Sequence, residues 1–160
     1  MVSFTDNLIL VLVSFVASVG FGIVFRITGK DLLLAGLGGA LTRIVLIVLS
    51  QFIPQRFVYV MLSALFASAY GELLANITKD PSTYFIYPAI IPLIPGDLFY
   101  YTMTGAIRGN YTLFSLNGSN CLLTLLGMSV GFVVSSTIAH YIRRTLFRRQ
   151  NKKAVPAGKH

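Results

Sequence analysis

Three ionisable residues interrupt otherwise apolar stretches of the chain, and each suggests its own chemistry. Arg43 lies within Leu32–Ser50. A guanidinium there can hold a carboxylate through two parallel hydrogen bonds. Asp97 directly follows Ile91-Pro-Leu-Ile-Pro-Gly96. It can balance Arg43, or cap a helix that restarts after the prolines. Glu72 shares a helix face with Ala64, Ser68 and Asn76, and a carboxylate on such a polar stripe can relay protons through apolar surroundings. Tyr100, Tyr101, Thr102 and Thr104 add neutral hydrogen-bonding groups just after Asp97.

Other chemistries lack their residues. One cysteine and two histidines, His140 and the final His160, do not make a metal site. Cys121 reads as a packing residue and His140 as an interfacial one. The sequence has no zinc-protease motif, phosphate loop or dinucleotide glycine pattern. Its serines have no base partner at matching depth. No cofactor and no enzymatic activity are expected.

Composition says what must position these groups. Of 160 residues, 55% are hydrophobic and 11% charged, against about 25% charged in a soluble domain. Five acidic residues cannot keep so small a chain in water, so it is an integral membrane protein. The net charge of +8 does not imply nucleic acid, because it is concentrated in the segment from Arg143 to Lys153. Such a basic end fixes topology and touches anionic headgroups.

A bilayer core of about 30 Å needs roughly 20 apolar residues in a helix. On that measure the spans are Asn7–Phe25, Leu32–Ser50, Phe57–Asn76, Tyr84–Ile107 and Cys121–Ile142, with a polar loop over Arg108–Asn120. The expected fold is all-α and polytopic, with about five transmembrane helices in one domain over residues 1–142. A basic cytoplasmic tail, expected to be disordered, follows over 143–160. A four-span arrangement is the alternative. The first run has neither a basic stretch before it nor a small-residue cleavage site after it, so it is expected to stay as a membrane helix. With the C-terminus inside, Arg26, Lys30, Lys79 and the whole basic tail fall inside, against Arg56 and Arg108 outside. The positive-inside bias therefore predicts N-terminus out and C-terminus in, in the plasma membrane.

Membrane helices associate through small residues that let backbones approach. Stripes at four-residue spacing recur: Ser14, Ser18 and Gly22; Ala35 and Gly39; Gly36 and Ala40; Ser63, Ala67, Gly71 and Ala75; Gly127, Gly131, Ser135 and Ala139. They predict a tight bundle or a seam with other subunits.

The fourth span cannot be one regular helix. Pro88, Pro92 and Pro95 each remove a backbone donor, and Gly96 follows. Unpaired backbone at depth is tolerated only inside protein or beside a water-filled cavity, and discontinuous helices commonly form transporter binding sites. The sequence Ile91-Pro92-Leu93-Ile94-Pro95-Gly96, with Tyr100 four residues on, resembles the signature of the threonine/serine exporter family. The likeness is to its short subunit, equivalent to the C-terminal half of full-length exporters. It implies export of small metabolites such as threonine and serine, or dicarboxylates such as succinate, with a larger membrane subunit as partner. Pro92, Pro95, Gly96 and Tyr100 are the positions it carries over. Asp97 stands where the family pattern suggests an apolar residue.

Depth discriminates between partners for Arg43. At about 1.5 Å per residue, Arg43 lies roughly 18 Å from the inner boundary, Glu72 about 6 Å and Asp97 about 20 Å. Arg43 therefore matches Asp97. The expectation is one subunit of a secondary exporter for small carboxylate-bearing metabolites, working as a homo- or hetero-oligomer surrounded by lipid. Arg43, Pro92, Pro95, Gly96, Asp97 and Tyr100 are expected at the substrate, and Glu72 in proton coupling. The rival is a non-transporting assembly protein whose prolines only kink a helix.

Overall fold

The computed structural model describes the backbone of residues 4–154. Among these, all regular structure is helical. Helices α1 (Phe4–Val24), α2 (Lys30–Phe52) and α3 (Arg56–Thr78) coincide with the first three predicted spans to within a few residues. The turns between them fall at predicted breakers. Gly29 adopts a left-handed conformation before α2, and Ile53 is extended ahead of Pro54, as a residue preceding proline prefers.

The fourth segment is broken as expected. Helix α4 (Thr83–Ile90) runs into a 3₁₀ turn at Ile91–Leu93, and α5 (Gly96–Ile107) follows. The last helix, α6 (Tyr111–Ala154), begins ten residues before the predicted start at Cys121. The polar loop predicted over 108–120 thus shrinks to a short turn, in which Gly109 is left-handed. Its polar residues serve the helix instead. Asn110 Oδ1 accepts the Leu113 N–H at 3.0 Å, capping the first turn, and Asn117 Nδ2 donates to the Leu113 carbonyl at 2.9 Å. The helix also continues through the basic segment to Ala154, where disorder was expected.

Close approaches at glycine define the topology. A Cβ on Gly36 would meet Phe15 and Val19, and one on Gly22 would meet Leu32, so α1 and α2 form an antiparallel hairpin. Tyr70 donates its hydroxyl to the Leu34 carbonyl at 2.8 Å, and α3 returns antiparallel to α2. A Cβ on Gly127 would lie 2.7 Å from the Phe57 carbonyl, and one on Gly131 would lie 2.5 Å from the Met61 carbonyl. Both sequences therefore advance together, and α6 runs parallel to α3. The chain between them must return to the starting face, so it passes through the body five times. Among the described residues four helices are long and apolar enough to cross a membrane, and α4–α5 forms the broken return.

The predicted small-residue stripes are the packed faces. Ser18, Ala35, Ser63, Ala64 and Ala67 are all fully buried, while Val24, Ile77 and Val133 face outward. That is the inverse of a soluble protein, and it is what a bilayer solvent selects. Two small apolar clusters mark the two ends. Ile27, Ala35, Ala75 and Phe85 pack together at one, and Val60, Ala64, Leu93 and Met128 at the other.

Leu93, at the end of the 3₁₀ turn, joins a cluster with Val60 and Ala64 of α3 and Met128 of α6. Beyond the break, α5 packs along the first turns of α6, with Gly105 against the Phe114 backbone and Gly118 against Thr102. Because Gly127 is level with Phe57, residues 111–126 of α6 run beyond the start of α3 by about 24 Å.

Candidate functional site

Arg43 lies on α2 beside Thr42, whose hydroxyl is spent on the Gly38 carbonyl at 2.8 Å. The arginine lines a cleft of about 700 Å³ where α1, α2 and α3 meet. Leu10 of α1 and Leu46 and Ile47 of α2 form its apolar walls, and Asn7, Ser50, Gln51 and Tyr59 bring neutral hydrogen-bonding groups. Among the described residues that line it, Arg43 alone is charged. The Nε of Arg43 is buried without a hydrogen-bond partner. A buried donor without an acceptor costs stability, and Arg43 carries that cost at the wall of the cleft.

Asp97 is the carboxylate whose charge acts on Arg43. The depth count had favoured that pairing over Glu72. The two interact through space, and Asp97 itself is exposed in the first turn of α5. It does not cap the half-helix, because Pro95 occupies the cap position. A carboxylate in the first helical turn still faces the positive end of the helix dipole. Glu72 lies toward the opposite end of α3, half-buried, one residue from Gly71 where Ile86 packs. It is engaged within the structure and does not reach the Arg43 cleft.

The break is locally satisfied. Pro92 has no N–H for the carbonyl of Pro88, four residues earlier; that carbonyl accepts the Ser18 hydroxyl of α1 at 2.8 Å and the Ile91 N–H. The Ile91 carbonyl, left without a donor by Pro95, accepts the Ile94 N–H at 3.2 Å. Gly96 N–H closes on the Ile94 carbonyl at 2.8 Å around Pro95, whose φ of −80° and ψ of 58° make an inverse γ-turn. Helix α5 then starts with Phe99 N–H on the Pro95 carbonyl at 3.0 Å.

The predicted site residues therefore do not converge on one cavity. Pro95 is buried, Pro92 half-buried and Gly96 exposed, with open space where a Cβ would stand. Tyr100 faces outward on α5, with its ring edge-on to Tyr101 at 5.5 Å. The hydroxyls of Thr102 and Thr104 donate to the carbonyls of Leu98 and Tyr100 on their own helix. Among the predicted positions, only Arg43 lines the cleft. The neutral groups there, Asn7, Ser50, Gln51 and Tyr59, were not singled out from sequence. For α2 a signal existed, because Arg43, Ile47, Ser50 and Gln51 fall at i, i+4, i+7 and i+8 on one helix face. Cys121 is buried, as a packing residue should be. Among the described residues no three metal-ligating side chains come together. The side chain of His140 lies outside the described ones.

The family model described as Threonine/Serine exporter, ThrE, matches residues 10–138. The chain belongs to the threonine/serine exporter family. The match begins in α1 and ends in α6, so it takes in the Arg43 cleft and the broken helix together. The exporter family is one of membrane transport proteins, not of enzymes, and the apolar outer faces of this exporter-family chain are its lipid contacts. No curated protein and no solved structure matches it.

Proposed function

We propose that this chain is a subunit of a secondary exporter in the plasma membrane, moving small carboxylate-bearing metabolites such as threonine and serine, or a dicarboxylate such as succinate. The observation that carries the reading is Arg43, which lines a cleft, has a buried and unpartnered Nε, and feels the charge of Asp97 through space. The substrate carboxylate supplies the acceptor that Arg43 lacks, through paired hydrogen bonds that a lysine would not match. Asp97, outside the cleft lining, offsets the guanidinium charge through space while the cleft is empty. Pro92, Pro95 and Gly96 form the hinge at which α5 changes its angle to α4, and Tyr100 moves with α5 during alternating access. The orientation is N-terminus out and C-terminus in, which places the mouth of the cleft outside.

A body of α1–α4 and part of α6 is too small to enclose a pathway, so the working unit includes a larger subunit of the same family or further copies of this chain. An ion gradient supplies the driving force, with Glu72 at the opposite end of α3 as the proton-exchanging carboxylate. The test is export of threonine and of succinate by proteoliposomes or deletion cells carrying Arg43→Gln with its partner subunit. Loss of export from normally inserted protein is expected. Full export by a stably inserted Arg43→Gln protein overturns the reading and leaves the assembly role.

A further inference from the structure

Tyr59 connects the two parts of the structure that the exporter reading uses. It lines the Arg43 cleft from α3. Its ring also packs against the cluster of Val60, Ala64, Leu93 and Met128, together with Leu46. Leu46 is three residues from Arg43, on the neighbouring turn of α2, and Leu93 closes the 3₁₀ turn of the break. The position of the ring is therefore set by the core, on a wall of the cleft that Arg43 also lines.

Its hydroxyl is not used in holding the fold. The hydrogen bonds made by Tyr59 among the described residues are main-chain ones: its N–H donates to the Gln55 carbonyl, and its carbonyl accepts the Ser63 hydroxyl. By contrast Tyr70, the next tyrosine along α3, uses its hydroxyl to tie α3 to α2. The other neutral groups at the cleft are less suited. Ser50 donates to the Ile47 carbonyl, and Asn7 and Gln51 also line a second, smaller and mainly apolar groove between α1 and α2.

We propose that Tyr59 is a substrate-contacting, specificity-determining residue: its phenol hydrogen-bonds the neutral polar substituent of a substrate whose carboxylate is held by Arg43. A ring fixed by packing donates at low entropic cost, and a site built to pair with a hydroxyl discriminates against the analogue that lacks it. This inference rests on the exporter reading, and it assigns discrimination between substrates to a residue distinct from the one that binds the carboxylate.

The experiment compares serine with alanine as transport probes in proteoliposomes containing the chain and its partner subunit. The two differ by one hydroxyl. Tyr59→Phe keeps the ring and its packing, so insertion and alanine transport are expected to be unchanged, while KM for serine rises by about three- to tenfold, the worth of one neutral hydrogen bond. Tyr59→Leu, which also disturbs the cluster around Leu93, is expected to impair both probes. A serine-to-alanine KM ratio unchanged in Tyr59→Phe overturns the assignment. If Arg43→Gln abolishes export while Tyr59→Phe is silent, the exporter reading stands and the role of Tyr59 falls. If Arg43→Gln exports normally, the reading beneath it falls first.

Discussion

Ser18 and Pro88 lie 70 positions apart, yet the Ser18 hydroxyl donates to the Pro88 carbonyl at 2.8 Å in the fully buried core. That carbonyl is the one Pro92 deprives of its helical donor. A hydroxyl from α1 thus joins the Ile91 N–H on that carbonyl and ties α1 to the broken segment, where buried main-chain groups need partners inside the protein. Replacing Ser18 with Ala removes one of the two donors to that carbonyl, the Ile91 N–H remaining, and should destabilise the folded chain by about 0.5–1.5 kcal/mol, the net worth of one hydrogen bond. Ser14→Ala is the control, because the Ser14 hydroxyl bonds only within its own helix, to Leu10. Thermal unfolding in detergent should show a clear drop for Ser18→Ala and a small one for Ser14→Ala.

Gly39 and Gly96 should respond oppositely to the same substitution. A Cβ on Gly39 would run into the Ser18 hydroxyl and Cβ, whereas one on Gly96 would meet nothing within 4 Å. Gly39→Ala must push α1 from α2 or eject the Ser18 hydroxyl from its bond, so poor insertion or a lowered Tm is expected. Gly96→Ala should fold normally. An export defect confined to Gly96→Ala would then report on motion or contact at the break. Fluorescence-detected size-exclusion chromatography separates the two outcomes.

Arg43 is expected to weaken the fold that carries it. A guanidinium with a buried, unpartnered nitrogen pays for desolvation without full pairing. Arg43→Met, which keeps the length and removes the charge, is expected to hold or raise Tm by several degrees while abolishing export. A lowered Tm would show that Arg43 is chiefly structural.

Glu72 offers a separate test of the driving force. If it exchanges protons during the cycle, Glu72→Gln should flatten the pH dependence of export while leaving binding of substrate at the distant Arg43 cleft intact. Uptake into inverted vesicles over a pH series measures this. An unchanged profile removes Glu72 from the coupling mechanism.

The helices and their packed faces were legible because a bilayer solvent leaves strong marks. Long apolar runs, charges at their ends and small residues every fourth position had few other readings, and the break at Pro92–Gly96 follows from missing donors. What misled was polarity at the start of α6. Asn117, Ser119 and Asn120 look like loop residues, yet an asparagine or serine can return its hydrogen bond to the preceding turn, as Asn117 and Ser119 do. The Arg43–Asp97 relationship could be reached by counting depth, since rise per residue is nearly constant. The cleft was less accessible. Asn7 and Tyr59 come to it from different helices, and their convergence depends on how α1 and α3 rotate about their axes, which hydropathy does not record.

One consequence concerns labelling. Because α3 and α6 point the same way, Arg26, Lys30 and Lys79 share one side of the sheet of lipid, and Arg56 and Arg108 share the other. An impermeant thiol reagent applied to intact cells therefore needs to find only a cysteine placed at 79 unreactive, and one placed at 108 reactive, to assign every remaining loop to its compartment.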